Sequence, residues 1–139
     1  RHSLRVQLVC GHGRGTDARS MIGAVLVTLI AALHVYIMVL EMFLWETPRA
    51  MKAFGTTPAT ARDTRVLAAN QGLYNGFLAA GLLWALALGV GGDGRDVALF
   101  FLACVMIAGF YGAATANIRI LYVQALPALF GLLAVWASM

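Results

Sequence analysis

The sequence predicts an all-α protein: a bundle of four transmembrane helices in which antiparallel neighbours are joined by short loops. The first observation is an apolar run at residues 21–45, whose only ionisable side chains are His34 and Glu41. About 20 apolar residues in a helix cross a hydrocarbon core ~30 Å thick, so this run can span a bilayer. The second observation is that three further runs of suitable length follow, at residues 66–90, 97–114 and 118–136.

The third observation is the composition. Hydrophobic residues make up 61% of the 139 residues, charged residues make up only 12%, and the mean hydropathy is +0.82. A soluble domain of this size could not bury so many apolar side chains in one core, so lipid must cover many of them. Four membrane crossings would use nearly all of the residues from position 21 onward. We therefore expect residues 21–139 to form a single four-helix integral membrane domain.

The first twenty residues differ from the rest of the chain. They are polar, rich in glycine and arginine, and without helical period, and Met21 then begins the apolar run as a natural initiator would. We interpret residues 1–20 as a non-native extension, with a disordered tail as the alternative. The run after Met21 is too long for the hydrophobic region of a signal peptide and lacks a convincing cleavage site, so we expect it to remain in the protein.

Helix-breaking residues define the first connection, residues 46–65. Pro48 and Pro58 interrupt any continuous helix in this segment. Thr60 followed by Asp63 is close to a capping box, which predicts that the second helix begins early, with Thr60 as its N-cap.

The later connections are shorter. The sequence GGDGRD at residues 91–96 predicts a tight turn, so the second and third spans should be antiparallel neighbours. The chain must turn again between Tyr111 and Arg119. Pro127 predicts a kink in the last span.

The formal charge of +4 and the pI of about 9.6 come from basic residues in the tail and the short loops, and not from one basic face. This distribution argues against nucleic acid as a partner and favours a role in membrane topology. If residues 1–20 are left out of the count, the only basic residue on one side of the membrane is Arg95, and the other side has five. The positive-inside bias then places the 46–65 loop in the cytoplasm. The arginines of a genuine tail would cancel this bias. The basic residues on the cytoplasmic side are Arg49, Lys52, Arg62, Arg65 and Arg119.

Polar side chains concentrate in one half of the four spans. His34 and Glu41 are seven residues apart, close to two full turns, and therefore share one stripe of the first helix. The first span ends and the second begins on the same side of the membrane, so polar residues of the second span fall at matching depths. The other members of this layer are Asn70, Gln71, Tyr74, Asn75, Tyr111, Asn117, Arg119, Tyr122 and Gln124. The predicted site residues in this layer are His34, Glu41, Asn70, Gln71, Tyr74, Asn75, Tyr111 and Arg119.

This asymmetry predicts a polar pocket in one half of the bilayer that binds or transports a small molecule or a proton. A charged residue at a helix centre costs ~2.5–3.5 kcal/mol to insert, so Glu41 should face protein or water, with Arg119 or Arg65 as a partner at the rim. The alternative is that the amides only hydrogen-bond neighbouring helices. One His and one Glu are too few ligands to predict a metal site. No cofactor is identified, and no nucleotide loop, Ser/His/Asp series or CxxC pair is present.

Gly72 and Gly76 form a GxxxG motif in the second span. Small residues at this spacing let helices approach closely. We favour a contact within the chain, and the alternative is a homo-oligomer, a dimer or trimer, formed through these two glycines.

Three segments in the first two spans and their connection, HVYIMVLEMFLW, KAFG and ANQGLYNGFLAAGL, resemble a bacterial family of small four-span membrane proteins, domain of unknown function 1304. The resemblance covers the chain from Met21 to the C-terminus. It implies four helices and a multi-pass location in the bacterial cytoplasmic membrane, and it leaves the activity open.

A fainter similarity covers residues 65–83, RVLAANQGLYNGFLAAGLL, which resemble the second helix of the MAPEG family of trimeric membrane proteins that handle eicosanoids and glutathione. The positions of that family's glutathione-binding Asn, acidic residue and catalytic-type Arg are Gly72, Asn75 and Ala68 here. The resemblance therefore implies shared architecture more than shared chemistry. A MAPEG-like membrane enzyme is one alternative function, and a non-catalytic membrane subunit is another.

Overall fold

A computed structural model describes residues 18–138 of the protein. Most of these residues are helical and none of them forms a strand, which confirms the all-α prediction. The elements are α1 (Ala18–Phe43), α2 (Pro48–Phe54), α3 (Pro58–Leu88), α4 (Arg95–Thr115), a π-helical turn (Leu121–Ala125) and α5 (Leu126–Trp136).

The first helix includes three residues, at positions 18–20, that the sequence analysis assigned to the tail. The rest of that segment, residues 1–17, lies outside the described part of the chain. Along α1 most buried residues lie three, four or seven positions from another buried residue, so one stripe of the helix faces the protein. They are Gly23, Val27, Ile30, Ala31, His34, Leu40 and Glu41.

The first connection contains a short helix, α2, that the sequence analysis did not predict. Thr47 caps its N-terminus, because the Thr47 Oγ1 accepts a hydrogen bond from the Ala50 N–H at 3.4 Å. Pro48 follows at the first helical position, where its missing N–H would have had no partner. Gly55 ends α2 with a φ of 66°, a left-handed conformation that favours glycine.

The second long helix, α3, begins early, as predicted, but with a different cap. Thr57 is the N-cap, since its Oγ1 accepts a hydrogen bond from the Thr60 N–H at 3.3 Å. The prediction of Thr60 as N-cap is therefore wrong by three residues. Pro58 explains the difference, because its fixed φ suits the first helical position and so draws the helix start upstream.

The predicted tight turn joins α3 to α4. The main-chain N–H groups of Gly92 and Gly94 each donate to the carbonyl oxygen of Gly89 at 3.0 Å. A Cβ at Gly94 would overlap the carbonyl oxygen of Ala85, so only glycine fits where the turn crosses the end of α3. The turn leaves α3 and α4 packed against each other.

The last helical segment covers residues 119–136 and contains a π-helical turn in place of a simple kink at Pro127. Proline has no N–H and its ring crowds the preceding turn, which favours such a distortion just before it. Ala125 in the π-helical turn lies against Gly109 of α4, where a Cβ would stand 2.7 Å from the Ala125 nitrogen.

The four longer helices share an apolar core at the end of the protein remote from α2. α1 packs against α3 and α5, and α4 packs against the same two helices. The fully buried residues of this core include Val27, Leu82, Ala85, Leu102, Val105, Ala128 and Val135.

Within residues 18–138, three helices are long and apolar enough to cross a membrane: α1, α3 and α4. The segment Leu121–Trp136 is apolar but shorter. Large apolar side chains cover the outer surface, and several are more than half exposed, among them Leu29, Leu67, Phe100, Ile107 and Phe130. Lipid is the environment in which such a surface is stable, so these features indicate a membrane protein.

Candidate functional site

A cavity of about 770 Å³ lies at the end of the protein where α1 finishes and α3 begins. Its walls come from α1, α3, α4 and the residues around the π-helical turn, and the end of α2 forms part of its rim. This volume is within the range of roughly 300–1,000 Å³ that is typical of small-molecule sites. Four of the eight predicted site residues line the cavity: Glu41, Gln71, Asn75 and Arg119.

Glu41 of α1 and Asn75 of α3 form a buried hydrogen-bonded pair in the cavity wall. The Asn75 Nδ2 donates to the Glu41 Oε2 at 2.8 Å and to the main-chain oxygen of Gln71 at 3.2 Å. Each residue is only 6% exposed. Within residues 18–138, Asn75 is the one side chain that hydrogen-bonds the Glu41 carboxylate, and no cation pairs with it.

Two acceptor atoms of this pair remain open. The Glu41 Oε1 and the Asn75 Oδ1 accept no hydrogen bond from the described residues, yet neither atom is fully enclosed by protein. Because both residues line the cavity, these oxygens have their access through it. Two residues of the cavity wall therefore each have one acceptor without a hydrogen bond from the described residues.

Gly72 and Gly76 allow α1 to come close enough to α3 for this pairing. A Cβ at Gly72 would stand 2.6 Å from the Met42 Cγ and 2.9 Å from the Glu41 Cβ, and one at Gly76 would stand 2.8 Å from the Met38 Sδ. The GxxxG motif thus faces α1 of the same chain, the intramolecular alternative of the sequence analysis.

His34 lies behind the cavity wall, completely buried. Its Nδ1 is 2.8 Å from the main-chain oxygen of Ile30, and a carbonyl oxygen can only accept, so Nδ1 carries the proton. In the neutral ring Nε2 is then an acceptor, and it lies 3.5 Å from the Nε2 of Gln124. Gln124 itself lines the cavity, so it connects His34 to the site.

Three predicted site residues point away from the cavity. Asn70 is exposed and its Nδ2 donates to the main-chain oxygen of Val66 at 3.1 Å. Tyr74 is 55% exposed beside Phe77, and Tyr111 is 72% exposed. The buried stripe of α3 passes through Asn75 and its neighbours three and four residues away, so the adjacent polar positions fall on the outer face.

Neither predicted rim partner pairs with Glu41. Arg65 lies 4.0 Å from Glu46, and both side chains are exposed. Arg119 lines the cavity, but its guanidinium forms no ion pair within residues 18–138. The main-chain N–H of Arg119 donates to the Asn117 Oδ1 at 2.9 Å, which fixes the start of the last helical segment beside the cavity.

The connection between α1 and α3 also contributes to the site. The Trp45 ring lies 5.0 Å from that of Phe54, and its indole N–H donates to the Thr64 Oγ1 at 3.2 Å. These contacts attach α2 to the first turns of α3 and hold Phe54 and Gly55 at the cavity rim. The lining residues that were not predicted as site residues include Tyr36, Phe54, Gly55, Thr115, Asn117 and Gln124.

Comparison with known proteins identifies the family. Residues 28–136 match the family model described as protein of unknown function (DUF1304). The chain is 28% identical over 102 residues to the uncharacterized protein YpaA of Lactococcus lactis subsp. lactis, and the alignment covers 72% of this chain and 84% of that protein. No solved structure matches. The fainter resemblance to the MAPEG family is not supported by these matches. With more than half of its length matched by one family model, the chain belongs to the DUF1304 family.

Proposed function

We propose that this protein is a four-transmembrane-helix bundle of the bacterial cytoplasmic membrane that binds a small molecule in the cavity beside Glu41. A proton occupies the carboxylate when the ligand is absent. The observation that carries this proposal is the buried Glu41 carboxylate, with one oxygen held by Asn75 and the other open to a cavity of about 770 Å³.

The fourth crossing is supported by the length of the last helical segment. Residues 119–136 form continuous helix apart from the π-helical turn, and at 1.5 Å per residue they extend about 27 Å. A hydrocarbon core is ~30 Å thick, and a short span is accommodated by local thinning. The packing of α1 and α4 against both α3 and α5 supports a bundle of four helices.

The orientation is supported by the basic residues at the two ends of the bundle. The end that carries the cavity has five, whereas the described residues at the other end have Arg19 and Arg95. The positive-inside bias then places the cavity mouth in the cytoplasm. The five basic residues at the cavity end are Arg49, Lys52, Arg62, Arg65 and Arg119.

Binding is supported by the chemistry of a carboxylate in a membrane. A buried carboxylate is costly unless a proton or a cationic group neutralises it. Glu41 has no cationic partner within residues 18–138, while its open oxygen faces the cavity. Since one oxygen cannot hold a proton and a cationic ligand at once, the two compete for Glu41.

Dicyclohexylcarbodiimide tests this proposal, because this apolar reagent modifies protonated carboxyl groups that it reaches through the membrane. In liposomes we expect the peptide that contains Glu41 to be modified, with less modification as the pH rises. Glu46 is the internal control, since it lies at an exposed position outside the spans. A folded protein in which Glu41 remains unmodified throughout the pH range would refute the proposal.

A second candidate function is a non-catalytic membrane subunit that binds another helix. The observation that favours it is the outward position of Asn70 and Tyr74 on α3 and of Tyr111 on α4, where polar groups would otherwise face lipid. The partner could be a second copy of this chain or a different protein. Purification in mild detergent should then yield a stoichiometric complex that Asn70→Leu with Tyr74→Leu dissociates; a monomer without partner would exclude this candidate.

A further inference from the structure

We infer that the ligand of the cavity is a zwitterion whose primary ammonium group binds Glu41 and Asn75 and whose anionic group binds Arg119. This inference rests on the proposed function, since it presumes a small molecule in the cavity, and it adds the chemical class of that molecule. Three features of the wall support it.

The first feature is that the Glu41–Asn75 pair, with Glu41 ionised as it would be when a cation is bound, offers acceptors and no free donor. The Asn75 Nδ2 has two hydrogens, and its bonds to the Glu41 Oε2 and to the Gln71 main-chain oxygen use both. The open atoms are the Glu41 Oε1 and the Asn75 Oδ1. A ligand that satisfies this wall must therefore donate at least two hydrogen bonds, and a positive charge on the donor adds to their strength.

The second feature is that two acceptors are open at once. A primary ammonium carries three N–H donors and a full charge on one nitrogen, so it can bind both oxygens at once. A quaternary ammonium has no donor. A guanidinium binds best when it reaches both oxygens of a carboxylate, and here the Glu41 Oε2 already accepts from Asn75. The primary ammonium is the cation that this wall accommodates best.

The third feature is Arg119, which lines the same cavity and forms no ion pair within residues 18–138. With Glu41, it gives the lining one negative and one positive charge. A ligand with two cationic groups would be repelled by the guanidinium, whereas a carboxylate or phosphate would be attracted by it. A molecule with one ammonium and one oxyanion matches both charges.

The remaining lining is largely apolar, with Leu33, Ile37 and Leu40 from α1 and Ile120 and Val123 from the last helical segment. The ligand should therefore carry an apolar part. Two sources share this chemistry: a free amino acid with an apolar side chain, and the ethanolamine phosphate headgroup of a phospholipid, whose acyl chains would extend into the bilayer.

Binding measurements on the full-length protein in nanodiscs distinguish these sources. In one arm, leucine and phenylalanine are titrated beside their N-trimethyl and methyl ester derivatives. In the other arm, phosphatidylethanolamine and phosphatidylcholine compete for retention on the purified protein, measured by native mass spectrometry. We expect binding in one arm, with a loss of about tenfold or more on methylation of the nitrogen, the effect of losing one charge-assisted hydrogen bond.

Arg119 is tested by a variant at the rim, where a change of side chain leaves the helix contacts intact. Arg119→Gln should lower affinity for the zwitterion and leave affinity for the methyl ester of the same amino acid unchanged. Arg49→Gln removes the same charge from an exposed position on α2 and should have no effect. Equal binding of the N-trimethyl derivatives, equal effects of Arg119→Gln and Arg49→Gln, or no binding in either arm would overturn the inference. If carbodiimide still modifies Glu41 in that case, the reachable and protonatable Glu41 of the proposed function is retained, and the zwitterionic ligand class is wrong.

Discussion

Glu41 and Asn75 are central to the chemistry of the cavity, because Glu41 supplies a buried ionisable carboxyl group and Asn75 donates a hydrogen bond to it. Both residues are only 6% exposed, and among the described residues Glu41 depends on Asn75 for its side-chain hydrogen bond, whereas Asn75 also donates to the main-chain oxygen of Gln71. A buried polar group that loses its partner costs about 1–3 kcal/mol, more when it is charged. Single substitutions at these positions should therefore separate ligand binding from stability.

Glu41→Gln should abolish the pH dependence of ligand binding. Glutamine can still accept the hydrogen bond from Asn75, so we expect the variant to fold. The glutamine side chain does not titrate and carries no charge at any pH at which the protein is folded. In the wild type, lowering the pH protonates Glu41 and should displace a cationic group, whereas the variant should bind about tenfold or more weakly at every pH. Calorimetric titration of the amino-acid probes across pH measures both effects. A variant whose binding still weakens as the pH falls would contradict this prediction.

Asn75→Leu should destabilise the protein by about 1–3 kcal/mol, because it leaves the buried Glu41 carboxylate without its hydrogen-bond donor. Thermal unfolding in detergent, followed by circular dichroism, measures the change. Asn70→Leu is the matched control: it makes the same chemical change five residues earlier on α3, at an exposed position, and should alter stability little. Equal effects of the two substitutions would show that the buried pair contributes no specific stability.

The residues of the candidate site could be predicted only in part. The density of polar residues in one half of the spans led to Glu41, Asn75 and Arg119, all of which line the cavity. The same density led to Asn70 and Tyr74, which lie on the outer face. Successive helical residues are separated by about 100°, so a cluster of adjacent polar residues does not reveal which member faces inward.

At the scale of elements, the close contact of α1 with α3 depends on Gly72 and Gly76. Without side chains at these positions, the α3 backbone lies directly against Glu41 and Met42 of α1. This contact brings the Glu41 carboxylate within reach of Asn75. The short helix α2 and the π-helical turn then complete the cavity.

Gly72→Ala should separate α1 from α3 and weaken the Glu41–Asn75 hydrogen bond. The added Cβ would stand 2.6 Å from the Met42 Cγ, and overpacking of this kind costs roughly 1–3 kcal/mol. The midpoint temperature of thermal unfolding and the affinity for the zwitterionic probes should both fall. Gly92→Ala is the control, because a Cβ there has its nearest neighbour at 3.8 Å. If Gly72→Ala left the stability unchanged, the Met42 side chain would have moved to make room for the added Cβ without a loss of free energy of unfolding.

Long helices could be predicted more completely than short ones. The apolar runs predicted α1, α3, α4 and the last helical segment, because a span of ~20 apolar residues has few alternatives. The helix α2 has only seven residues, and its stability depends on its caps and on the contact of Phe54 with Trp45, which no periodicity reveals. The π-helical turn likewise depends on close packing against Gly109, a tertiary feature.

At the scale of the whole molecule, the two ends differ in charge and packing. One end carries five basic side chains and the cavity, whereas the other carries the tight turn and most of the apolar core. Under the proposed function, the orientation of these two ends decides which face of the membrane supplies the ligand. The most informative measurement on the whole molecule is therefore its orientation, that is, on which side of the membrane the cavity mouth lies.

Cysteine labelling measures that orientation. In a background without native cysteines, Lys52→Cys lies in α2 and Asp93→Cys lies in the turn between α3 and α4. If the positive-inside bias holds, a membrane-impermeant maleimide applied to intact cells should label Asp93→Cys and not Lys52→Cys. Both positions should be labelled after the cells are lysed. The reverse pattern would place the cavity mouth outside the cytoplasm.

The apolar core beneath the cavity separates the cavity from the opposite side of the membrane. Val27, Leu82, Leu102 and Val105 are fully buried there, so in this conformation the cavity is a dead end. A solute that enters the cavity must therefore leave through the same cavity mouth. Under the proposed function, net passage of a ligand to the far leaflet would require the helices to separate and pack together again during each cycle.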